Sequence, residues 1–561
     1  MTMNEDIVCK EIVTEAIRKK VKKIADIDKI RKEVCTRMSS KLFPSFIRIL
    51  ESATQGERKK LNFLVYRPTR TMSGVAPLAI MTKPFACPHG TCTYCPGGIN
   101  SVFGNVPQSY TGNEPASLRA RRNNYDPYLQ IFNRLEQYAL LNQSADKAEL
   151  ILMSGTFLAL SNNYQEEFVK YALKAMNDFS EMFYTEGVLD FKKFKDFFEL
   201  PSPPKDDERS MRLREKILKL KGECNLEEEQ KRNETAKSRC VAMAIETKPD
   251  YSKQEHINNM FKLGCTRVEL GVQCLNDKIL KHVNRGHNVK DSIKATQLLK
   301  DSFLKVGYHL MPGLPGSNPK EDVKMFQRIF DEDDFKPDFL KIYPCMVMPG
   351  TKLEKEFNDK KFNPLSTEEA AEIIAEGKRF VPEYCRIMRI QRDIPSTLVT
   401  AGVKSTNLRQ IVVTKNSDCR CIRCREPKGN VIDLKDGKIK RTNYTASKGN
   451  EIFLSFETNK YLIGFCRLRI PHKPFRPEIT KHSAGIRELH VYSESVGIGD
   501  APQGVQMQHK GIGRLLMAEA EKIAKEEFGC NKMIVISGIG AREYYKKLGY
   551  TRDGAYMSKK L

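Results

Sequence analysis

Three cysteines close to residue 90 have the spacing of a metal-binding loop. Cys87, Cys92 and Cys95 lie within nine residues, and a Pro-Gly-Gly segment follows them directly. Such spacing in a chain without a secretory signal favours metal thiolates over disulfides. Three thiolates on one tight loop can hold three irons of a [4Fe-4S] cluster and leave the fourth iron without a protein ligand.

An iron without a protein ligand can bind a small molecule. The amino and carboxylate groups of S-adenosylmethionine would chelate it, and an electron from the reduced cluster would cleave the sulfonium carbon bond to give a deoxyadenosyl radical. A structural zinc, or a closed cluster with a distant fourth cysteine, is the alternative for the same residues. The barrel predicted downstream makes the radical chemistry the favoured interpretation.

A second cysteine cluster lies within six residues and consists of Cys419, Cys421 and Cys424. Three thiols this close usually bind a metal, and their density is that of a zinc knuckle. A tetrahedral zinc needs a fourth ligand. The candidates are Cys385, Cys466, His472 and His482. Cysteines without a metal are the alternative. We expect a zinc site that holds two catalytic domains against each other.

A glycine-containing segment near the C-terminus has the form of a phosphate-binding helix start. The segment 508–513, Gln-His-Lys-Gly-Ile-Gly, opens a predicted helix, and its two glycines would let backbone amides approach a pyrophosphate. Further on, Tyr544 and Tyr545 could lie near a reacting group or simply pack as aromatics. Glu488 and His490, in a strand predicted before this helix, are residue types that can act as a general base.

Short β-rich runs alternate with helical stretches between residues 76 and 395 and must position the first cysteine loop. This order predicts parallel βαβ units, closed or partly closed into a barrel, with ligand chemistry at the C-terminal strand ends. The predicted strands cover 75–81, 149–153, 241–246, 267–272, 306–311 and 339–343. A charged, proline-rich stretch over about 188–238 is interpreted as a helical insertion and not as a barrel element.

The pattern changes after residue 395. A cysteine-bearing connector precedes strands predicted over 451–457, 461–470 and 485–492, a helix over 511–528 and a strand over 532–536, which together indicate a small α/β domain. The buried face of that helix is predicted to consist of Leu515, Leu516, Ile523, Ala524 and Phe528. We therefore predict four regions: basic helices over 1–75, a barrel over 76–395, a connector over 396–440 and the α/β domain over 441–561.

The charge of the chain points to polyanionic partners. Ninety-four Lys plus Arg against seventy Asp plus Glu give a net charge of +24, so RNA, DNA and membrane surfaces are all candidates. Basic residues concentrate over 18–23 and at Arg119, Arg121 and Arg122, where a solvated helix face is the alternative. Because no run of about 18 apolar residues and no signal-peptide core is present, we expect a cytoplasmic protein with no membrane partner.

The sequence resembles the Elongator complex protein 3 family, in its archaeal type, over nearly its whole length. The matching segments are CPH at 87–89, CTYCPGG at 92–98, QSYTGNEP at 108–115, SGTF at 154–157, ETKPD at 246–250, ELGVQ at 269–273, MPGLPG at 311–316 and QRDIP at 391–395. Four residues separate the first two cysteines, unlike the three of most radical S-adenosylmethionine enzymes and the longer gap of the eukaryotic relatives.

The resemblance implies an α/β protein in which a partial (β/α) radical-SAM barrel precedes a GNAT acetyltransferase domain. Ser154, Gly155, Thr156 and Glu246 would line the S-adenosylmethionine pocket, although a salt bridge in the barrel mouth is the alternative for Glu246. The residues implied to bind acetyl-CoA are Lys147, Glu488, Leu489, His490, Val491, Gln508, Lys510, Gly511, Ile512, Gly513, Arg514 and Tyr545. The residues implied to be catalytic are Lys147, Tyr544 and Tyr545.

The activity that the resemblance implies is that of a tRNA uridine(34) acetyltransferase, or carboxymethyluridine synthase. Uridine C5 is a poor nucleophile, and its attack on acetyl-CoA would attach the carbonyl carbon. A hydrogen abstracted from the acetyl methyl group would instead give a carbon radical able to add to the uracil ring, which explains why one chain carries both sites. Thioester hydrolysis would complete the product.

Two other classes of function are compatible with parts of the sequence. One is a protein lysine acetyltransferase with a structural iron-sulfur cluster, and the other is an RNA-binding scaffold of a larger assembly. The expected partner is the anticodon stem-loop of tRNA, bound with an affinity that falls steeply as salt rises. Accessory subunits of the Elongator type, or a self-sufficient enzyme that forms a homo-oligomer, are both compatible with the sequence.

Overall fold

A computed structural model of the chain describes residues 5–61, 63–64, 74–201, 206–415, 418–428, 430, 432–492 and 511–561. The N-terminal region is helical, as predicted. Its helices are α1 (Glu5–Arg18), α2 (Ile24–Arg37), α3 (Phe46–Ser52) and α4 (Gln55–Lys60). Their apolar faces share one small core, and Arg58 fixes this core to the next region by donating to Leu50 O at 3.1 Å and to Ala139 O at 2.9 Å.

Seven parallel strands form a half-barrel in which each strand pairs with its neighbour in chain order. They are β1 (Ala76–Met81), β2 (Lys147–Met153), β3 (Arg239–Thr247), β4 (Arg267–Gln273), β5 (Lys305–Leu310), β6 (Phe339–Ile342) and β7 (Arg386–Ile390). The predicted partial barrel is confirmed. Its edge strand β7 was not predicted, because two arginines interrupt its apolar residues and no apolar run marks it.

Helices cover the outer face of the half-barrel. They are α5 (Pro115–Arg122), α6 (Pro127–Leu140), α7 (Asn162–Phe183), α8 (Phe191–Phe197), α9 (Asp207–Lys221), α10 (Leu226–Asn233), α11 (Gln254–Leu263), α12 (Asp277–His282), α13 (Val289–Asp301), α14 (Pro319–Asp331), α15 (Lys352–Asn358) and α16 (Thr367–Gly377). Helices α8 to α10 occupy the predicted insertion. Phe194 and Phe198 of the insertion pack their rings against Phe183 of α7 and so attach the insertion to the barrel.

The connector contains α17 (Leu408–Lys415) and α18 (Ile422–Arg425), and a second seven-stranded sheet follows it. The strands of this sheet are β8 (Lys438–Ala446), β9 (Gly449–Glu457), β10 (Leu462–Ile470), β11 (Ser483–Val491), β12 (Lys532–Val535), β13 (Thr551–Asp553) and β14 (Tyr556–Lys560). The spatial order is β8-β9-β10-β11-β12-β14-β13, with β11 and β12 parallel and the other pairs antiparallel. The predicted α/β domain is confirmed.

One face of the C-terminal sheet packs against α19 (Ile512–Glu526), and α20 (Arg542–Lys546) follows β12. Leu516, Ile523 and Ala524 are buried in this contact, as predicted, whereas Leu515 is 47% exposed. The prediction for Leu515 was wrong because the buried stripe at 512, 516, 520 and 523 lies on another side of the helix.

The C-terminal domain packs against the end of the half-barrel where the strands begin. Its Tyr556 hydroxyl donates to Ser302 O, just before β5, at 3.1 Å. A Cβ built on Gly538 would lie 2.0 Å from Val241 O of β3, so only glycine allows this approach of the two backbones. Within the described residues, we find no helix with the length and apolarity that a membrane span requires.

Candidate active site

The first cysteine loop leaves β1 at the C-terminal end of the half-barrel. Cys87, Cys92 and Cys95 are all buried, and Cys92 and Cys95 line a cavity at this end of the strands. Residues that follow or end the neighbouring strands complete the cavity wall. Among them are Ser154, Gly155, Glu246, Thr247, Gln273, Met311, Tyr343 and Arg392. The cysteine loop thus lies at the C-terminal ends of the strands, where the strand order led us to expect ligand chemistry.

The thiols have polar neighbours that could hold them in place. The Ser109 backbone amide donates to Cys95 Sγ at 3.2 Å, and His89 Nε2 lies 3.3 Å from Cys92 Sγ. Burial, together with the nearby Cys92, raises the pKa of the Cys95 thiol to about 11. Since metals bind the thiolate, a bound metal would have to compensate for this burial.

The cavity has the shape and the unsatisfied polar atoms that a polar cofactor requires. A Cβ on Gly155 would lie 2.5 Å from Gln108 Cβ and 3.4 Å from Cys87 Sγ, so this position needs glycine. Within the described part of the chain, the hydroxyls of Tyr94 and Thr247 and the Oε1 atom of Gln273 are buried without a hydrogen-bond partner. Buried polar atoms are normally satisfied, so these three fit a bound polar ligand beside the cysteines.

Acidic and basic side chains that line the cavity form ion pairs and hydrogen bonds with one another. Glu246 accepts from the Tyr110 hydroxyl at 2.9 Å, and Lys341 Nζ lies 3.4 Å from its other oxygen. Lys341 also pairs with the fully buried Glu269, to which His309 Nε2 lies at 2.9 Å. Burial alone would raise the pKa of Glu269, but attraction to Lys341 and Arg267 lowers it well below its usual value.

These contacts distinguish two possible roles of Glu246 and Glu269, a metal site and a salt-bridge network. The carboxylates of Glu246 and Glu269 and the His309 ring offer ligand atoms within 4.8 Å of one another, the arrangement of a metal site. Lys341 already supplies the positive charge there, so this group does not need a cation. Glu246 forms the salt bridge that was expected as the alternative to a place in the S-adenosylmethionine pocket. It also lines the cavity.

The segment after β2 divides into two kinds of residue. Ser154 and Gly155 line the cavity, as the resemblance implied. Thr156 is fully buried, donates to Gly155 O at 2.8 Å and hydrogen-bonds the Cys87 thiol. Thr156 therefore contacts Cys87 and is not among the residues that line the cavity.

Lys147 lies at the opposite end of the barrel from the cysteines. It begins β2 and pairs in register with Arg239 of β3, whose Cβ would touch a Cβ on Gly540 of the C-terminal domain. Burial lowers the pKa of Lys147 to about 8. The structure thus places Lys147 beside the C-terminal domain and not in the cavity of Ser154 and Glu246.

Strand β11 opens a cleft in the C-terminal sheet. Its pairing with β12 extends from Ser483 to Ile486, and beyond Ile486 β11 continues along β10 alone among the described strands. Leu489 and Val491 pack on the side of α19, whereas the His490 ring stacks on Phe465. Residues 488–491 of β11 thus lie beyond the end of β12, and a Cβ on Gly464 would contact both Val491 and Ile512, so this part of β11 lies beside the start of α19.

The start of α19 lies beside this cleft. Gly511 is exposed with φ +84°, Ile512 is buried and Arg514 is exposed. A Cβ on Gly513 would lie 2.8 Å from the Tyr544 hydroxyl, so the Tyr544 phenol reaches the helix N-terminus. Gln508 and Lys510, which were predicted to bind acetyl-CoA, lie outside the described residues.

The two adjacent tyrosines have different surroundings. Tyr545 is buried in the domain core with its ring 6.0 Å from that of Tyr550, and burial raises its pKa. Tyr544 is 36% exposed. Tyr545 therefore packs as an aromatic, which was one of the two interpretations, and Tyr544 is the tyrosine whose hydroxyl faces the cleft.

Glu488 is held in an ion pair between the domains. Arg467 Nε donates to it at 2.8 Å, and Lys305 of the barrel pairs with its other oxygen. Burial alone would raise the pKa of Glu488, but these two cations lower it to about 2. A general base needs a pKa near the working pH, so this carboxylate does not fit the role of base.

The second cysteine cluster has the geometry of a zinc site. The thiols of Cys419, Cys421 and Cys424 lie within 4.8 Å of one another, and the Cys421 and Cys424 sulfurs are 3.6 Å apart. Zinc–sulfur bonds of 2.3 Å in a tetrahedron require about 3.8 Å between sulfurs. Cys385 is adjacent, because its carbonyl accepts from Ile422 N at 3.0 Å, whereas Cys466 lies in the C-terminal core.

The basic residues of α5 and those of the connector have different environments. Arg119 is buried and donates to Ala79 O at 3.2 Å, so it supports β1 and cannot contact a polyanion. Arg121 and Arg122 are exposed. In the connector, Arg425 pairs with Glu457 and is largely covered, whereas Arg420 and Arg423 stay half-exposed although each pairs with a glutamate.

Several residues at the cavity had not been singled out as site residues. Tyr110 and Lys341 bind Glu246, and Arg285 and Lys248 lie beside the cysteine loop. Tyr110 and Lys248 belong to segments that match the family, which was an available signal. Lys341 and Arg285 carry no local signal, because sequence alone does not show that a basic residue is buried.

Family models match consecutive parts of the chain. The ELP3 N-terminal domain matches residues 6–72, the Radical SAM superfamily 82–329, the Radical SAM C-terminal domain 337–417 and the Acetyltransferase (GNAT) family 422–550. The first range contains the N-terminal helices, the second and third together contain β2 to β7 of the half-barrel, and the fourth contains β8 to β12 of the C-terminal sheet.

Relatives from archaea, bacteria and animals are similar over most of the chain. A tRNA uridine(34) acetyltransferase of Methanocaldococcus infernus is 48% identical over 98% of both chains, and one of Dehalococcoides mccartyi is 42% identical over 88% of this chain and 99% of its own. Elongator complex protein 3 of Drosophila melanogaster is 35% identical over 99% and 96%. The solved Methanocaldococcus infernus Elp3 lacking residues 1–46 superposes with a TM-score of 0.70 and 45% identity, covering 88% of this chain and all of that one.

Proposed function

The chain belongs to the Elongator complex protein 3 family, and we propose that it is a tRNA uridine(34) acetyltransferase that builds a carboxymethyl group on C5 of the wobble uridine. The observation that carries this proposal is the presence of two sites on one half-barrel. A cysteine-lined cavity lies where the strands end, and a GNAT cleft lies on the domain packed where they begin.

Both sites are needed because the carbon–carbon bond must form at the acetyl methyl carbon. One methyl hydrogen is removed as an atom, and after the methyl carbon has joined C5 the C5 hydrogen leaves as a proton while one electron passes to a one-electron acceptor. When bound, the [4Fe-4S] cluster and S-adenosylmethionine supply a radical that can remove a hydrogen from that methyl group. Cys87, Cys92 and Cys95 hold the cluster in this proposal. Glu246 and the unsatisfied Gln273 Oε1 offer acceptors to the polar groups of S-adenosylmethionine, and the Tyr110 hydroxyl fixes the Glu246 carboxylate.

Acetyl-CoA is proposed to bind in the cleft of the C-terminal domain. The backbone of β11 over residues 488–491, beyond its pairing with β12, would hydrogen-bond the pantetheine arm, and the amides at Gly511 and Gly513 would bind the pyrophosphate at the positive end of α19. The Tyr544 hydroxyl lies beside Gly513 at the same end of α19. Lys147, partly deprotonated near neutral pH because burial lowers its pKa to about 8, lies at the barrel end that meets this domain.

The substrate of the proposed reaction is tRNA with its target base unstacked in the anticodon loop, where unstacking costs little. Exposed Arg121 and Arg122 on α5, next to the cavity wall at Pro115 and Ala116, would guide the phosphate backbone. We also propose that zinc occupies the site of Cys419, Cys421 and Cys424, where it would hold the connector between the two domains.

Anaerobic reconstitution tests the proposed function. Protein loaded with iron and sulfide is incubated with a reductant, S-adenosylmethionine, acetyl-CoA and unmodified tRNA, and nucleosides are analysed by mass spectrometry. We expect a mass gain of one carboxymethyl group on uridine 34, and none when either cosubstrate is omitted. The proposal would be contradicted if protein with an intact cluster caused no mass gain on uridine. It would also be contradicted if acetyl groups were transferred to protein lysines instead.

A further inference from the structure

The cysteine loop is braced by the segment that follows α12. Thr93 N donates to Val283 O at 3.1 Å, and the Asn284 side-chain amide donates to Thr91 O at 3.0 Å and to His89 O at 3.4 Å. Since Thr91 and Thr93 flank Cys92, these bonds fix the backbone on both sides of one proposed iron ligand.

The same segment brings a buried arginine to the loop. Arg285 is 8% exposed, and its guanidinium donates to Gly271 O at 2.7 Å. The distance from Arg285 Nη1 to Cys92 Sγ is 3.8 Å. Within the described residues, Arg285 has no salt bridge to a carboxylate. A buried cation without an anionic partner is costly, so the structure indicates that an anion beside Cys92 balances its charge.

A second buried cation lies close by. Lys248 is fully buried, pairs with Asp250 at 3.2 Å, and lies 3.0 Å from the position of a Cβ on Gly286. The same Cβ position is 2.5 Å from His89 Cβ, so Lys248 and His89 converge on Gly286. Only one of the two cations, Lys248, has a carboxylate within ion-pair distance in the described chain, which leaves net positive charge at the loop.

We propose that Arg285 is a positioning residue that orients Cys92 and holds positive charge beside the cluster, so that the reduced cluster is stabilised. This inference rests on the cluster of the proposed function. An external one-electron donor reduces the cluster from the 2+ to the 1+ state, and no bond in the protein forms or breaks. The added negative charge is attracted by Arg285 in a region of low dielectric, and charge and hydrogen bonds near the sulfurs set the reduction potential.

A redox titration followed by electron paramagnetic resonance tests this role. Cluster-loaded wild type, Arg285→Gln and Arg285→Lys are titrated with dithionite without tRNA, acetyl-CoA or S-adenosylmethionine. We expect Arg285→Gln to lower the equilibrium constant for reduction at least tenfold, which is 59 mV for one electron. Arg285→Lys keeps the charge and should recover most of this loss. Lys281→Gln removes an exposed charge four residues away and should leave the midpoint unchanged.

The outcomes separate this inference from the proposed function. A fully loaded Arg285→Gln protein with the wild-type midpoint would overturn the inference, even if it still made the uridine product. If Arg285→Gln does not retain iron, Arg285→Met, which keeps more of the apolar volume of the side chain, is titrated instead, and a wild-type midpoint in that variant would overturn the inference as well. Failure of wild-type protein to modify uridine would leave the measured potentials intact and would count against the proposed function alone.

Discussion

Replacing Cys92 by serine is expected to abolish both deoxyadenosine formation and uridine modification. Cys92 is buried at the cavity wall, and its loop offers the cluster three thiols. Without the cluster no other group at the site can supply the radical, so we expect turnover to fall at least ~10³-fold, to the detection limit. Anaerobic assays of both products, with iron quantified in the same sample, measure this loss.

A matched control is available in the same barrel. Cys240 of β3 is buried away from the cavity, so Cys240→Ala should keep both activities. Cys92→Ser should also keep its affinity for acetyl-CoA, because the GNAT cleft lies at the other end of the barrel. If Cys92→Ser retained a full cluster and normal turnover, the assignment of the three ligands would be wrong.

The second large effect is expected at the buried contact between the two domains. The Arg487 guanidinium donates to Asp338 at 2.8 and 2.5 Å and to Glu451 at 3.0 Å, and all three side chains are fully buried. Arg487→Met would leave two buried carboxylates short of a cation. Removing one partner of such a group typically costs about 3–5 kcal/mol, which denaturant unfolding followed by circular dichroism can measure.

An exposed ion pair of the same domain serves as the control. Arg441 pairs with Glu527 at 2.5 Å on the surface, and Arg441→Met should change the free energy of unfolding by less than about 1 kcal/mol. Equal effects of the two substitutions would show that the buried network does not hold the domains together. We expect instead that Arg487→Met unfolds at clearly lower denaturant, with the C-terminal domain losing its contact to the barrel.

The fold was predictable where local patterns reflect burial. Strand β4 is buried along its whole length, and its predicted range, 267–272, differs from the observed one by a single residue. Strand β8 was missed because it is mostly polar and only its last residue, Ala446, is buried. Strand β7 was missed because arginines interrupt its apolar residues. Edge strands gain their structure from a neighbour, which no local pattern reveals.

The site was predictable to the extent that it is local in sequence. The cysteine loop and the segment after β2 can be recognised in the sequence from their residue types and spacing. Arg285 is 193 residues from Cys92, and basic residues are normally exposed, so only the folded chain shows that they meet. Likewise, sequence could not separate Tyr544 from Tyr545, because the rotation of about 100° between neighbouring residues of α20 decides which phenol faces the cleft.

The most direct test of the central claim is to follow the hydrogen that the radical removes. Reconstituted protein is supplied with acetyl-CoA carrying a fully deuterated methyl group, together with S-adenosylmethionine and tRNA. The account predicts deoxyadenosine that carries one deuterium, and a uridine product that keeps two. Unlabelled deoxyadenosine accompanied by a product that keeps all three deuterium atoms would show that the methyl group is never activated, and would contradict the account.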